Sequence, residues 1–205
     1  MDKPFAPACE RNQEPILERL QACIGPGPAR ILEIGSGTGQ HAVHFGQARP
    51  DWLWQCTDQA PHLPGIGMWL QEAGRANLPT ALPLDVSVEA DWAAVASEDW
   101  DWLYTANSLH IMSWGHVQAL FAALPKVLGP HSGLLIYGPF NRNGQFTSAS
   151  NAAFEASLRQ RDASMGIRDL EAISALAAGC GLGLQEAHPM PANNFLLEFR
   201  PLPEA

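Results

Sequence analysis

The sequence predicts an α/β fold, in which helices cover both faces of a largely parallel β-sheet. Short apolar runs, such as residues 31–34 and 133–137, are typical of buried parallel strands. Segments of helical periodicity separate these runs, and the clearest is 114–128. The last segments, 182–187 and 194–200, alternate in polarity and predict a terminal hairpin. Five strand–helix units followed by a hairpin predict one domain over residues 1–205.

Composition limits the possible partners of this 205-residue chain. Its net charge of −9 argues against nucleic acid as a partner, because binding phosphates requires a basic face. No apolar run reaches the length of about 18 residues that a membrane-spanning helix needs. The four cysteines are scattered, which favours free thiols in a reducing cytoplasm. His41 and His44 share a predicted helix face without an evident third ligand, so we expect no metal site.

The elements follow in a regular order. Residues 1–28 form an extended arm (1–9), then a helix beginning near Pro15, with Asn12 as a possible cap and a break at 25–28. The further segments are strands at 30–34, 52–57, 80–84, 100–106 and 133–137, and helices at 40–47, 66–73, 88–96, 114–128, 150–161 and 169–178. The loop 138–148 is long and polar, and loops of this length inside compact domains are often functional.

A glycine-rich turn follows the first strand. Gly35, Gly37 and Gly39 occupy alternate positions, Glu33 precedes them, and a helix follows. Glycine permits positive φ and lets a ligand approach the backbone closely. The free N–H groups at the start of the helix point toward whatever lies above the turn. This pattern predicts a ligand site, and the acidic Glu33 favours a cationic or amine-bearing ligand.

Two further strand ends carry polar side chains. Asp58 follows the second strand, 19 residues after Gly39 (58 − 39), where an acid in nucleotide-binding α/β folds accepts hydrogen bonds from ribose hydroxyls. Asn107 follows the fourth strand, at the topological switch point where open α/β sheets bind ligands. We therefore expect Asp58 and Asn107 to contribute to the same site as the glycine turn.

The turn resembles motif I of the class I S-adenosylmethionine (SAM) dependent methyltransferases, on the residues Glu33, Gly35, Gly37 and Gly39. The resemblance implies a Rossmann-like, seven-stranded mixed sheet of order 3-2-1-4-5-7-6 with strand 7 antiparallel. It implies SAM as cofactor, S-adenosylhomocysteine as product, and an adenine near Asp85, although Asp85 also fits a helix cap. An NAD(P)-linked oxidoreductase is a weaker alternative, because Gln40 replaces the third glycine of G-x-G-x-x-G and no Tyr-x-x-x-Lys pair is present.

Three stretches are similar to the methyltransferase-like protein 26 family, an uncharacterised family with a domain of unknown function. They are Glu10-Arg11-Asn12 with Pro15-Ile16-Leu17, the run from Gly138 to Ala152 that includes Arg142-Asn143-Gly144, and Met190-Pro191-Ala192-Asn193-Asn194. The resemblance covers essentially the whole chain and implies a methyltransferase fold without naming a substrate.

Catalytic candidates are polar residues expected above the carboxyl edge of the sheet. His110 is the best general base, because imidazole titrates near neutral pH, although it also fits a capping or core position. Arg11 is either a clamp for an acidic substrate or the partner of Glu10 or Glu14 in a salt bridge.

Asn12 and Asn143 complete the catalytic set, with the arm and the segment 140–165 as a cover over a small polar acceptor. A non-catalytic SAM-binding or protein-interaction module remains the main alternative. Either a monomer or a homodimer is compatible with the sequence.

Overall fold

The computed structural model describes residues 2–96 and 98–203. The helices are α1 (Pro7–Ile24), α2 (Gln40–Ala48), α3 (Leu63–Ala73), α4 (Glu89–Val95), α5 (Trp114–Ala123), α6 (Ala149–Arg161) and α7 (Leu170–Gly179). The strands are β1 (Ala29–Ile34), β2 (Trp52–Asp58), β3 (Leu82–Pro83), β4 (Trp100–Ala106), β5 (Leu128–Gly138), β6 (Phe140–Asn141), β7 (Arg168–Asp169), β8 (Leu182–Met190) and β9 (Asn194–Pro201).

Seven strands form one mixed sheet in the order β3-β2-β1-β4-β5-β9-β8. The strands from β1 to β5 pair in parallel, whereas β9 is antiparallel to both β5 and β8. The expected order 3-2-1-4-5-7-6 differs from this order only in the numbers of its last two strands, which are β9 and β8. Two short strands that the sequence did not predict, β6 and β7, precede the terminal hairpin and pair only with each other in a second small sheet.

Helix α1 starts earlier than expected. Pro7 stands in its first turn, where a missing N–H costs nothing, and Pro15 lies inside the helix. The prediction of an extended arm to residue 9 is therefore wrong, and Asn12 is not the cap. The helix continues past Pro15 because Ile16, Leu17 and Leu20 are buried against the sheet, and this packing outweighs the lost backbone hydrogen bond.

Other boundaries shifted for local reasons. Helix α5 ends at Ala123 rather than 128, because Pro125 lies in a following 3₁₀ turn over 124–126 and the chain then enters β5. Strand β3 has two residues instead of five, and one of them is Pro83, which lacks a donor for the sheet. The loop 138–148 contains β6 and a bridge between Arg142 and Gln145, so it is partly ordered by its own backbone pairing.

Each central strand sends successive side chains to opposite faces. Ile31 packs with the tryptophans of β2 and with α1, α2 and α3, whereas Leu32 packs with α4, α5 and α7. Glu33 therefore points to the same face as Ile31, toward α1 and α2. Within the described residues, no helix combines the length and apolarity required to cross a membrane.

Candidate functional site

A cavity of about 410 Å³ opens at the carboxyl edge of the parallel strands. This volume lies within the range of about 300–1,000 Å³ that is usual for small-molecule sites. Its wall is built from the turn after β1, the ends of β2 and β4, the segment after β3, the loop after β4 and the start of α1. These are the positions at which open α/β sheets bind ligands.

The three glycines of the turn have positive φ, at 75° for Gly35, 60° for Gly37 and 85° for Gly39. A Cβ on Gly37 would meet nothing within 4 Å, so the space beside it is open to a ligand. A Cβ on Gly35 would lie 2.8 Å from the Ser108 hydroxyl oxygen. Gly39 does not line the cavity, and its role differs from the expected one: it caps α2, where a Cβ would lie 3.1 Å from Ile66.

The Asp58 carboxylate is buried and organises this turn. One of its oxygens accepts the backbone N–H of Gly37 at 2.7 Å. The other accepts the backbone N–H of Gln59 at 2.7 Å and lies 2.6 Å from Nδ1 of His62. A carboxylate offers about four acceptor positions, so about one remains for a ligand hydroxyl. Asp58 therefore has the geometry to hold the turn and a ribose hydroxyl together.

Glu33 lies at the floor of the cavity and is almost fully buried. Burial raises its pKa, against hydrogen bonds from Trp54 and Ser36 that lower it. The indole N–H of Trp54 donates to its carboxyl group at 2.9 Å. Glu33 therefore accepts a hydrogen bond from the neighbouring strand β2 and also forms part of the cavity wall.

Asp85 and Asn107 also line the cavity, as expected. Asp85 accepts the backbone N–H and the hydroxyl of Ser87, which lower its pKa, and Gln59 donates to its other oxygen at 2.9 Å. The helix-cap alternative for Asp85 is wrong, because α4 has Val88 as its N-cap and no side-chain cap hydrogen bond. Asn107 has a φ of 57°, a left-handed conformation that asparagine tolerates better than most residues.

His110 does not line the cavity, contrary to the expectation for a general base. Its buried ring packs edge-on against Phe154, with 5.2 Å between ring centroids. Burial lowers its pKa to about 4, and the nearby Arg168 acts in the same direction. The position after β4 was correctly located at the site, but the chain turns here so that Ser108 and Ile111 face the cavity and His110 faces α6.

The remaining catalytic candidates also lie outside the cavity wall. Arg11 is exposed, and the Asn143 backbone N–H donates to Glu171 at 3.0 Å in the turn after β6. Asn12 lies closer, because its side-chain oxygen is 2.7 Å from Nε2 of His41, which does line the cavity. In the segment 140–165, which is the expected cover, β6 pairs with β7, and the backbone N–H groups of Asn143 and Gly144 donate to Glu171 in α7 and Asp169 in β7.

The sequence did not predict that His41, Ala6, Ala8 and Cys9 belong to the wall. Burial lowers the pKa of His41 to about 4, so its ring is neutral near pH 7. The Ala6 backbone N–H donates to the Gln40 side chain at 2.6 Å, which fixes the start of α1 above the glycine turn. Gln40, the residue that departs from the dinucleotide fingerprint, has this structural role.

A second polar cluster lies apart from the cavity and joins α1 to β8 and β9. Nε2 of His188 is 3.6 Å from the sulfur of Cys23 and 3.1 Å from a carboxylate oxygen of Glu198. These three ligand-type atoms lie within 4.8 Å of one another. Burial, with Glu198, raises the pKa of Cys23 to about 12, which marks a thiol rather than a thiolate. The sequence did not predict this cluster, because Cys23 is far from the other two residues in the chain.

Comparison with solved structures places the fold in a known class. The chain is similar to the mitomycin 7-O-methyltransferase MmcR, with a TM-score of 0.73 and 19% identity over 91% of this chain and 54% of that one. It is similar to an O-methyltransferase family protein from Burkholderia thailandensis, with a TM-score of 0.80 and 12% identity over 97% and 58%. The S-adenosylmethionine-dependent methyltransferase SibL gives 0.72 and 15% over 95% and 56%.

The chain therefore has the α/β fold found in SAM-dependent methyltransferases, and it spans little more than half the length of these solved structures. Residues 3–201 match the family described as "Protein of unknown function (DUF938)", and the chain belongs to this family.

Proposed function

We propose that this protein is a SAM-dependent methyltransferase acting on a small polar molecule. The observation that carries the proposal is the Asp58 carboxylate, which accepts the Gly37 N–H at 2.7 Å beside a cavity whose wall includes the left-handed Gly35 and Gly37. This arrangement provides a backbone surface without Cβ atoms, a carboxylate for hydroxyl groups, and an enclosed volume at one edge of the sheet. A cytoplasmic location is part of the proposal and fits the four free thiols.

The residues present fit SAM in chemical type. Asp58 has an acceptor position for the ribose, Asp85 and Gln59 offer polar groups to an adenine, and Glu33 and Asn107 line the same cavity. Open space beside Gly37 is the cradle that a Cβ would fill. When bound, SAM supplies an electrophilic methyl group, so the protein needs to position reactants more than to provide reactive groups.

The chain's own residues would bind, orient and exclude water. The start of α1 covers the cavity, and its position is fixed by the bond from Ala6 to Gln40 and by an indole N–H of Trp69 that donates to Pro4 at 2.7 Å. Such a cover limits water access to a displacement reaction. The His110 ring packs against Phe154 and is not part of the cavity wall, so proton removal at the acceptor is not assigned to it.

The finer resemblance to the methyltransferase-like protein 26 family also remains a proposal. Its support is that the three similar stretches converge in space. Burial raises the pKa of Tyr137, one residue before the second stretch, and the nearby side chains of Asn12 and Asn194 act in the opposite direction. The guanidinium of Arg142 lies over the ring of Phe195, next to Asn194, at 4.9 Å. Contacts of this kind explain why distant stretches would be retained together.

Calorimetry with SAM, S-adenosylhomocysteine and NADH tests the cofactor assignment. We expect binding of the first two at micromolar concentrations, no binding of NADH, and weaker binding of the first two to Asp58→Ala. Binding of NADH alone would support the oxidoreductase alternative. Binding of SAM with no methyl transfer to any compound in a broad small-molecule pool, followed by mass spectrometry, would favour the non-catalytic SAM-binding module. Sedimentation of the same samples distinguishes a monomer from a homodimer.

A further inference from the structure

The charges around the cavity carry information about the acceptor. Three carboxyl groups belong to its wall, those of Glu33, Asp58 and Asp85, and no lysine or arginine is among the lining residues that the structure describes. An enclosed site lined by one sign of charge concentrates ligands of the opposite sign and repels those of the same sign. The carboxylates in this wall therefore disfavour anionic ligands.

The three lining histidines do not supply a permanent positive charge. His41 is neutral because burial lowers its pKa to about 4. His62 lies 2.6 Å from Asp58, so any charge on its ring is directed to that carboxylate. His116 is exposed and acts on Asp85, whose pKa it helps to lower after the larger effect of Ser87. Each histidine is thus neutral or already opposite an acid.

Two arginines, Arg168 and Arg142, contact other parts of the protein. Arg168 is buried behind the loop after β4, and its guanidinium donates to the backbone carbonyls of Leu109, Met112 and Ser164. Arg142 lies over the ring of Phe195. The Arg168 guanidinium is used by these three carbonyls, and neither Arg168 nor Arg142 belongs to the cavity wall. Arg11, the arginine that the sequence offered as a clamp for an acidic substrate, is exposed and also lies outside the described wall.

The part of the wall beyond the cofactor residues is apolar and neutral. Ile111 lines the cavity while 46% exposed, and Met112 lies beside it. Among the described residues, the Asn107 side chain makes no hydrogen bond within the protein, so its amide is free to offer a donor and an acceptor. An apolar surface with one amide suits a ligand that has an apolar body and an uncharged polar group.

We propose that the methyl acceptor is a small molecule without negative charge, an alcohol, phenol or amine with an apolar body, and that carboxylates and phosphate esters are excluded. This inference rests on the proposed function, because it concerns the part of the same cavity that SAM would leave free. SAM itself is compatible with the charge pattern, since its sulfonium and ammonium groups outweigh its one carboxylate.

Three probes with one body and three charges test the proposal. Tyramine is cationic, tyrosol is neutral and 4-hydroxyphenylacetate is anionic at neutral pH, and all three carry the same phenol. Binding to the protein saturated with S-adenosylhomocysteine is measured by ligand-observed NMR. We expect tyramine and tyrosol to bind at least about tenfold more tightly than 4-hydroxyphenylacetate, with a difference that shrinks as salt is raised. Equal binding of the anion would overturn the proposal.

A charge insertion provides the matched variant. Ile111→Arg places a cation in the cavity wall, and Leu202→Arg adds the same charge at a residue of similar exposure, 47%, outside the wall. Ile111→Arg should improve binding of 4-hydroxyphenylacetate about tenfold, and Leu202→Arg should leave it unchanged. An equal effect of both variants, or none from Ile111→Arg, would contradict the proposal. Failure of S-adenosylhomocysteine to bind the unaltered protein would instead refute the proposed function.

Discussion

Gly37 permits the most direct test of the cavity as a ligand site. Its φ of 60° is left-handed, and a Cβ added to it would enter open space rather than the protein. Gly74, at the end of α3, has a nearly identical φ of 58°, and its added Cβ would lie 3.9 Å from the Gln71 carbonyl oxygen, an ordinary contact. Gly74 is not part of the cavity wall, so it is a matched control.

Alanine at either position should cost similar stability. A side chain in the left-handed region destabilises the folded state by about 1–2 kcal/mol. Replacing glycine also lowers the conformational entropy of the unfolded chain, which stabilises the protein by about 0.4–1 kcal/mol. We therefore expect each variant to lose about 1 kcal/mol, which lowers the melting temperature of a chain of this size by about 2–4 °C. Thermal denaturation without ligand measures this loss for Gly37→Ala and Gly74→Ala.

Only Gly37→Ala should weaken ligand binding. The new methyl group would occupy space next to the backbone that the cofactor approaches, and overpacking by one carbon costs about 1–3 kcal/mol. The dissociation constant for S-adenosylhomocysteine should therefore rise about 5- to 150-fold, measured by calorimetry. If Gly37→Ala binds as tightly as Gly74→Ala while both fold, the ligand does not lie against this turn and the reasoning is refuted.

Three further outcomes are expected. Asp58→Ala should weaken S-adenosylhomocysteine binding by about 1.5–3 kcal/mol in calorimetry and also lower stability, because hydrogen bonds to a charged group are lost; unchanged affinity would remove Asp58 from the site. Burial alone would raise the pKa of Glu198, but hydrogen bonds from His188 and Arg200 lower it. The stabilisation from Glu198 is therefore complete above its ordinary pKa of 4.5 and is lost as the pH falls through the lower pKa of the folded state. Urea unfolding of Glu198→Gln should lack this acid-dependent part of the free energy of unfolding. Gly133→Ala should destabilise by about 1–3 kcal/mol, because its Cβ would lie 2.3 Å from the Trp102 ring, and an unchanged urea midpoint would contradict that packing.

Local patterns explain which features could be predicted. The apolar strands and the glycine turn depend on residues close in sequence, so β1, α2 and the Asp58 position were found correctly. Strand β3 was overestimated because an edge strand needs few backbone pairs, and proline cannot donate to them. The start of α1 was misplaced because Pro15 fits a first turn equally well when burial of the helix is unknown.

The composition of the site was harder to predict, because its wall depends on distant contacts. Ala6 reaches Gln40 across 34 positions, and Asn12 reaches His41 across 29. Nothing in the local sequence shows that the first residues of the chain cover the turn. Buried Arg168 donates hydrogen bonds to two carbonyl groups of the loop after β4, from 56 or more positions away in the sequence. These bonds determine which side of the loop faces the cavity.

The interior position of β9 has a consequence for the order of folding. This strand comes last among the described elements of the chain, yet it pairs with β5 on one side and β8 on the other. During synthesis, one edge of β5 therefore stays unpaired until more than fifty later residues have been added to the chain. Unpaired edges invite association with other chains, and contacts of long sequence separation form slowly. The hairpin of β8 and β9 must dock as a unit, so nascent chains that lack β9 should be the most prone to aggregation.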